Sequence, residues 1–240
     1  MIFYYIRHGD PIYDPDSLTQ LGKRQAEAVG KRLSQHGIDK IFASTSNRAI
    51  LTATPLSEIT KKEIVTLDFC NESHAWDDFA IPYDEGKYTW AFAHSETKKL
   101  FASKTISALG DRWYEYEGFK NYNFKRGVER INRESDSLLL SLGYKHIREE
   151  GSYKAVSHNN ERVALFAHQG FGLAFLSSIL DIPYPTFSSR FDMSHTAVTI
   201  IEFSPMDNEG TVIPKVLSFA DLSHVHKENL PTKFNNGLFI

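Results

Sequence analysis

The sequence predicts an α/β fold: a three-layer α/β/α sandwich with a mostly parallel central sheet and a mainly helical, aromatic-rich insertion over its carboxyl edge. Short runs of β-branched and aromatic residues alternate with helical patterns, which is typical of a parallel sheet covered by helices on both faces. A length of 240 residues with 41% hydrophobic side chains is enough for one large core. We therefore expect a single domain over residues 1–240, with an insertion subdomain over about residues 68–125.

Five segments have the composition and length of strands. The first starts at the second residue of the chain and runs directly into Arg7. The predicted strands are Ile2–Ile6, Lys40–Ala43, Arg162–Ala167, Ala197–Phe203 and Pro214–Phe219.

Four helical patterns lie between these strands. Thr19 is a suitable N-cap for the first helix, and Pro55 should kink the second, because proline lacks a backbone N–H and clashes with the preceding turn. Glycine or proline follows the ends of the others. The helices are predicted from Thr19 to Gly37, from near Ser46 through Pro55, over about Arg126–Leu142, and from Gln169 to Leu180.

The stretch from about Asp68 to Lys125 interrupts this alternation. It lacks a clean strand pattern and holds all three tryptophans, Trp76, Trp90 and Trp113. We expect most of its aromatic side chains to form the core of the insertion, while a few could line a substrate mouth. The segment Lys145–Asn160 reads as a hairpin or long loop, and we expect it above the carboxyl edge of the sheet with the insertion.

Composition excludes several functional classes. A net charge of −3 without a Lys/Arg-rich run argues against general nucleic-acid binding. No apolar run approaches the roughly 18 residues that a membrane span requires. The single cysteine, Cys70, rules out an intramolecular disulfide and a cysteine-rich zinc site, fits a reducing cytoplasm, and reads as a half-buried structural residue. No histidine pair at i, i+4 accompanies a third carboxylate, which disfavours a metal site.

Three charged segments follow predicted strands: Arg7-His8-Gly9, Arg48, and His168-Gln169-Gly170. Ligands of open α/β sheets bind at the carboxyl ends of the strands, so we expect these segments to converge. Two arginines match phosphoryl oxygens through their guanidinium forks, and helix N-termini add backbone donors. The sequence therefore predicts a site for a small phosphorylated substrate that works without magnesium or another cofactor.

His8 is the predicted nucleophile at this site. A neutral imidazole attacks without first losing a proton, and neighbouring arginines should lower the pKa of His8 and keep it neutral. Gly9 would let the backbone turn tightly, so that a carbonyl holds Nδ1 and leaves Nε2 free. Gly9 and Gln169 are the predicted substrate-binding positions, and Gln169 retains a backbone donor.

Four motifs, in order and spacing, resemble the histidine phosphatase superfamily, also called phosphoglycerate mutase-like. The resemblance covers roughly Met1–Leu67 and Arg126–Phe219 and is weak across the insertion. The motifs are Tyr5-Ile6-Arg7-His8-Gly9-Asp10-Pro11, Leu18-Thr19-Gln20-Leu21-Gly22-Lys23-Arg24-Gln25-Ala26, Ser46-Asn47-Arg48-Ala49-Ile50-Leu51-Thr52-Ala53, and Ala167-His168-Gln169-Gly170.

By this resemblance His8 would be phosphorylated, and Arg7, Arg48 and His168 would clamp the phosphoryl group. A carboxylate early in the insertion would protonate the leaving oxygen, and Glu72 stands at that position. The rival carboxylates are Asp68, Asp77 and Asp78.

The motifs also depart from the family pattern. Asp10-Pro11 follows the glycine where many members have Glu or Gln, and Tyr13-Asp14 stands near a usual asparagine. Gln169-Gly170 replaces a double glycine.

The predicted reaction is hydrolysis of small phosphomonoesters through phospho-His8, in the cytoplasm, with Glu72 as acid and then base. A mutase that returns the phosphoryl group to another hydroxyl is the first alternative, since the long insertion could close the site against water. A protein that only binds a phosphorylated ligand is a weaker alternative, because nucleophile and acid are both present.

His195 could lie at the pocket rim or satisfy a core hydrogen bond, and it is outside the predicted catalytic set.

Overall fold

A six-stranded sheet runs through the centre of the computed structural model, which describes residues 1–232. Its strand order is β13-β11-β1-β10-β4-β5. The described strands are β1 (Ile2–Arg7), β2 (Pro11–Tyr13), β3 (Asp16–Leu18), β4 (Lys40–Ser44), β5 (Ile64–Leu67), β6 (Ala80–Asp84), β7 (Lys87–Trp90), β8 (Tyr144–Ile147), β9 (Ser152–Ala155), β10 (Arg162–Ala167), β11 (Val198–Glu202), β12 (Thr211–Val212) and β13 (Lys215–Asp221).

The described helices are α1 (Gln20–Ser34), α2 (Asn47–Thr60), α3 (Glu72–Phe79), α4 (Ser95–Phe101), α5 (Lys104–Ser107), α6 (Phe124–Ser141), α7 (Gln169–Ile179), α8 (Tyr184–Ser188) and α9 (Ser223–Lys227). No helix among residues 1–232 is long and apolar enough to cross a bilayer.

The central sheet is mostly parallel, as predicted. β1, β10, β4 and β5 are parallel neighbours, whereas β11 and β13 add to the other side of β1 in antiparallel orientation. The five predicted strands are confirmed. The sixth strand of this sheet, β5, was missed: it is an edge strand of only four residues that directly precedes the insertion.

Both faces of the sheet are buried, because side chains alternate between them along each strand. Phe3 and Tyr5 of β1 belong to a core shared with α6 and α7, whereas Tyr4 and Ile6 belong to a second core shared with α1 and α2. The predicted three-layer α/β/α arrangement is therefore confirmed.

The four predicted helices are also confirmed, with ends that differ by a few residues. Thr19 caps α1 and accepts a hydrogen bond of 3.0 Å from the backbone N–H of Gly22. Helix α2 continues across Pro55.

The insertion consists of α3 to α5, the β6–β7 hairpin and short 3₁₀ turns. An aromatic cluster forms its core, in which the Trp113 ring centroid lies 5.1 Å from that of Phe124 and 5.5 Å from that of Phe101. The insertion lies over the carboxyl edge of the sheet, since Glu72 of α3 contacts the backbone that follows β10. This placement confirms the prediction.

The segment 145–160 forms the predicted hairpin, β8–β9, but its predicted position was wrong. The amino group of Met1 donates hydrogen bonds to Tyr144 Oη (3.1 Å) and to the carbonyl oxygen of Asn159 (2.9 Å). The hairpin therefore lies at the amino edge of the sheet, beside the start of β1. The reason is helix α6, whose 18 residues span about 27 Å from the insertion to the opposite edge.

Candidate active site

The charged segments that follow β1, β4 and β10 meet at the carboxyl edge of the sheet. The His8 backbone N–H donates a 2.9 Å hydrogen bond to the carbonyl of Ala167, which joins the ends of β1 and β10. A cleft of about 390 Å³ opens there. Its lining residues are Arg7, His8, Tyr13, Arg48, Glu72, Ser73, Trp76, Trp90 and Gln169.

His8 is held in one orientation at the bottom of this cleft. Its Nδ1 lies 2.7 Å from the carbonyl oxygen of Gly9, and the residue is only 3% exposed. A carbonyl only accepts hydrogen bonds, so Nδ1 carries the proton and Nε2 keeps its lone pair. Burial places the pKa of His8 well below its usual value, and the charge of Arg7 lowers it further.

Gly9 is required by close packing against helix α1. A Cβ at this position would lie 2.7 Å from the carbonyl oxygen of Gly22. The Gly9 N–H donates a 2.9 Å hydrogen bond to Thr52 Oγ1, which in turn donates to the Arg48 carbonyl. The tight turn after His8 is thereby attached to α2, the helix that carries Arg48.

Arg7 and Arg48 are both held by protein acceptors but keep one buried N–H each without a protein partner. Arg7 Nη1 donates to the Met193 carbonyl (2.7 Å), and Arg48 Nη1 donates to Asp16 Oδ1 (2.9 Å). The Nε atoms of both arginines are buried and have no acceptor among residues 1–232. Such groups cost about 1–3 kcal/mol each. A phosphoryl oxygen could accept from them.

Asp16 is a residue of this site that the sequence did not reveal. It pairs with Arg48, and its Oδ2 accepts a 2.8 Å hydrogen bond from the backbone N–H of Asn47 at the start of α2. The contact depends on the β2–β3 hairpin, which brings residues 16 and 48 together. No local pattern in the sequence indicates that pairing.

His168 lies beside His8, with 5.2 Å between the ring centroids. Arg48 Nη2 lies 3.2 Å from His168 Nδ1, and Ser44 Oγ lies 2.8 Å from Nε2. Because a guanidinium only donates, Nδ1 is the acceptor and Nε2 carries the proton. Burial, followed by the charges of Arg48 and Arg7, lowers the pKa of His168 well below its usual value.

Glu72, the first residue of α3, joins the insertion to the sheet. Its two carboxyl oxygens accept 2.9 Å hydrogen bonds from the backbone N–H groups of Gly170 and Phe171, at the start of α7. Burial raises the pKa of Glu72, and this effect outweighs the two hydrogen bonds, which favour the charged form. A raised pKa suits a carboxyl group that donates a proton near neutral pH.

The rival carboxylates lie outside the cleft that holds His8. Asp78 is buried and pairs with Arg126 and Arg130 at 2.8 Å each, which is a structural role. Asp68 and Asp77 are exposed, and Asp68 pairs with a neighbouring histidine.

The remaining candidate residues occupy different parts of the site. Gln169 lines the cleft, and its side-chain amide donates to Asp192. The His195 ring centroid lies 5.7 Å from that of His8, and His195 Nδ1 lies 3.5 Å from Asp10 Oδ1. His195 is therefore a neighbour of the predicted nucleophile, although the predicted catalytic set did not include it.

Cys70 is fully buried rather than half-buried, and burial raises the pKa of its thiol. In the range 1–232, no three His, Cys, Asp or Glu side chains are grouped as metal ligands.

The fold and the paired arginines and histidines define the class of protein that this chain resembles. The model of the histidine phosphatase superfamily (branch 1) matches residues 3–113. The resemblance predicted from the motifs is thereby confirmed, but its predicted extent differs, since the matched range includes most of the insertion and ends before residue 126. No curated protein sequence matches the chain.

Solved structures with the same fold cover nearly the whole chain. Phosphoserine phosphatase from Entamoeba histolytica, in complex with 3-phosphoglyceric acid, is 18% identical with a TM-score of 0.58, covering 93% of this chain and 98% of that one. A mycobacterial glucosyl-3-phosphoglycerate phosphatase is 16% identical with a TM-score of 0.57, covering 92% and 99%. YhfR from Bacillus stearothermophilus is 21% identical with a TM-score of 0.58, covering 93% and 98%. At these identities the likeness shows the fold.

Proposed function

We propose that this protein is a metal-independent phosphatase that hydrolyses small phosphomonoesters through a phosphohistidine on His8. The observation that carries the proposal is the hydrogen bond from His8 Nδ1 to the Gly9 carbonyl, which leaves the Nε2 lone pair available in a cleft lined by two arginines. The phosphatase names of the structural neighbours support the same reaction class.

In the first step His8 Nε2 attacks the phosphorus atom, and the bond from phosphorus to the leaving oxygen breaks. Glu72 gives its proton to that oxygen, so the product leaves as a neutral alcohol. Arg7 and Arg48 stabilise the charge on the equatorial phosphoryl oxygens. His168, which is fully buried behind the cleft, orients Arg48 through Nδ1, and its ring centroid lies 5.2 Å from that of His8.

In the second step water attacks the phosphorus atom of phospho-His8. The Glu72 carboxylate accepts a proton from this water, and the bond between Nε2 and phosphorus breaks. Inorganic phosphate is released and His8 returns to its neutral state. Glu72 is protonated again and ready for the next cycle.

Access of water distinguishes a hydrolase from a mutase, which must exclude water from the phospho-enzyme. The cleft is open, and Tyr13 at its mouth is 70% exposed. Asp10, which follows Gly9, accepts a 2.7 Å hydrogen bond from Thr19 through Oδ2, and its Oδ1 lies 3.5 Å from His195 Nδ1. The open cleft favours hydrolysis.

We therefore expect the purified protein to release phosphate from several phosphomonoesters in water, without 2,3-bisphosphoglycerate as a primer. Released phosphate and the interconversion of 3- and 2-phosphoglycerate are measured in parallel. Rapid interconversion that depends on the primer, with little free phosphate, would falsify the hydrolase assignment in favour of a mutase.

Asp16→Asn should lower kcat by about tenfold with a smaller change in KM, because Arg48 loses the charged partner that orients it for the transition state. Steady-state kinetics on one alkyl phosphate measures the changes in kcat and in KM separately. Asp14→Asn is the matched control, since Asp14 is an exposed carboxylate of the same hairpin segment. Equal kinetics in the two variants would show that Asp16 does not position Arg48.

A further inference from the structure

Three aromatic side chains line the cleft together with His8 and the two arginines, and the Tyr13 ring centroid lies 5.5 Å from the guanidinium carbon of Arg48. Tyr13 comes from β2, Trp76 from α3, and Trp90 from the end of β7. We call these three residues the aromatic rim. None of them has a step in the proposed chemistry, which leaves their ring surfaces available to the group that departs with the alcohol oxygen.

The rim is partly pre-formed. Trp90 stacks on Phe92 with 5.5 Å between ring centroids, and Trp76 meets Trp90 edge-on at 5.0 Å. Trp90 also lies against the first turn of α7, where a Cβ on Gly170 would come within 2.4 Å of the indole. Trp76 remains 37% exposed, so it can offer ring surface to a ligand.

The charges that line the cleft argue against a charged leaving group. Among the described residues that line the cleft, Arg7 and Arg48 are the only arginine or lysine side chains, and both are assigned to the phosphoryl group. A carboxylate on the leaving group would therefore lack a cation. An ammonium group would face only Glu72, whose two oxygens already accept backbone hydrogen bonds.

The polar side chains of the mouth are engaged with protein partners. Ser73 Oγ donates a 2.9 Å hydrogen bond to Asn71, and the Gln169 amide donates to Asp192. A sugar ring would have to compete for these groups to satisfy its hydroxyls, whereas an apolar ring needs only the faces and edges of the rim.

We infer that the site selects small phosphomonoesters whose leaving alcohol carries an uncharged aromatic ring. This inference rests on the proposed function: the ring packs against Trp76, Trp90 and Tyr13 while His8 takes the phosphoryl group and Glu72 protonates the leaving oxygen, so that the aryl-bearing group departs as an alcohol.

The test compares benzyl phosphate with 3-phosphoglycerate and glycerol 3-phosphate, which all release alkyl alcohols, so that leaving-group acidity does not decide the result. We expect kcat/KM for benzyl phosphate to be higher by about tenfold or more, because its ring contacts the side chains of the aromatic rim. Trp76→Ala should raise KM for benzyl phosphate and remove most of this preference, and Trp76→Phe should restore part of it.

Tyr88→Ala is the matched control, since Tyr88 is an exposed aromatic residue of β7 that does not line the cleft. The Tyr88→Ala variant should prefer benzyl phosphate over the other two esters by the same factor as the wild type. The inference is wrong if either of the other two esters has a kcat/KM equal to or higher than that of benzyl phosphate. It is also wrong if Trp76→Ala lowers kcat/KM equally for all three esters. Either result leaves the phosphatase proposal standing. Release of phosphate from none of them would overturn the proposed function and the inference with it.

Discussion

His8→Ala should reduce phosphate release by a factor of at least about 10⁴, because it removes the nucleophile on which both steps depend. The thermal unfolding temperature should change little, since the side chain lies in a polar cleft and its hydrogen bond is made to the adjacent Gly9. Phosphate release and thermal unfolding are measured on the same preparations.

His36→Ala is the matched control, because His36 is an exposed histidine after α1 and outside the cleft. It should retain wild-type activity. Activity of His8→Ala within tenfold of the wild type would assign the nucleophile to another residue.

Glu72→Gln should lower kcat for alkyl phosphates by about 10²–10⁴-fold, the usual contribution of a general acid. The loss on p-nitrophenyl phosphate should be much smaller, because its leaving group hardly needs a proton. Glutamine keeps one acceptor for the N–H groups of Gly170 and Phe171, so α7 retains part of its link to α3. The ratio of the two losses is the diagnostic quantity.

Asp77→Asn and Asp78→Asn complete the experiment on the acid. Asp77→Asn should be nearly silent, whereas Asp78→Asn should destabilise the protein through its two arginine partners without selectivity between substrates. A selective loss in either variant, or equal losses on both substrates in Glu72→Gln, would move the acid role away from Glu72.

The sequence predicted those parts of the fold that depend on local patterns. Five strands of the central sheet were visible as runs of β-branched and aromatic residues, and two of them, β1 and β10, are almost entirely buried. The edge strand β5 has only four residues and directly precedes the insertion, and it was missed. The β8–β9 hairpin was recognised but misplaced, since its position depends on the length and direction of α6 rather than on residues of the hairpin.

In the candidate site, too, some residues were predictable from their position along the chain and others depend on tertiary packing. Arg7, His8 and His168 directly end or follow strands, so the topology of a parallel sheet is enough to bring them together. Ser44 ends β4, so the same topology brings it to His168, whereas Asp16 reaches Arg48 through the β2–β3 hairpin and has no local signal. The proximity of His195 to His8 likewise depends on the loop before β11.

Pulse labelling tests the central claim most directly. Wild-type protein is exposed briefly to a ³²P-labelled phosphomonoester with EDTA present, denatured, and digested into peptides. The proposal predicts acid-labile, alkali-stable phosphate on the peptide that contains His8, and no such label in His8→Ala. Active protein that never acquires this label, or activity that EDTA stops and zinc or magnesium restores, would contradict the phosphohistidine mechanism.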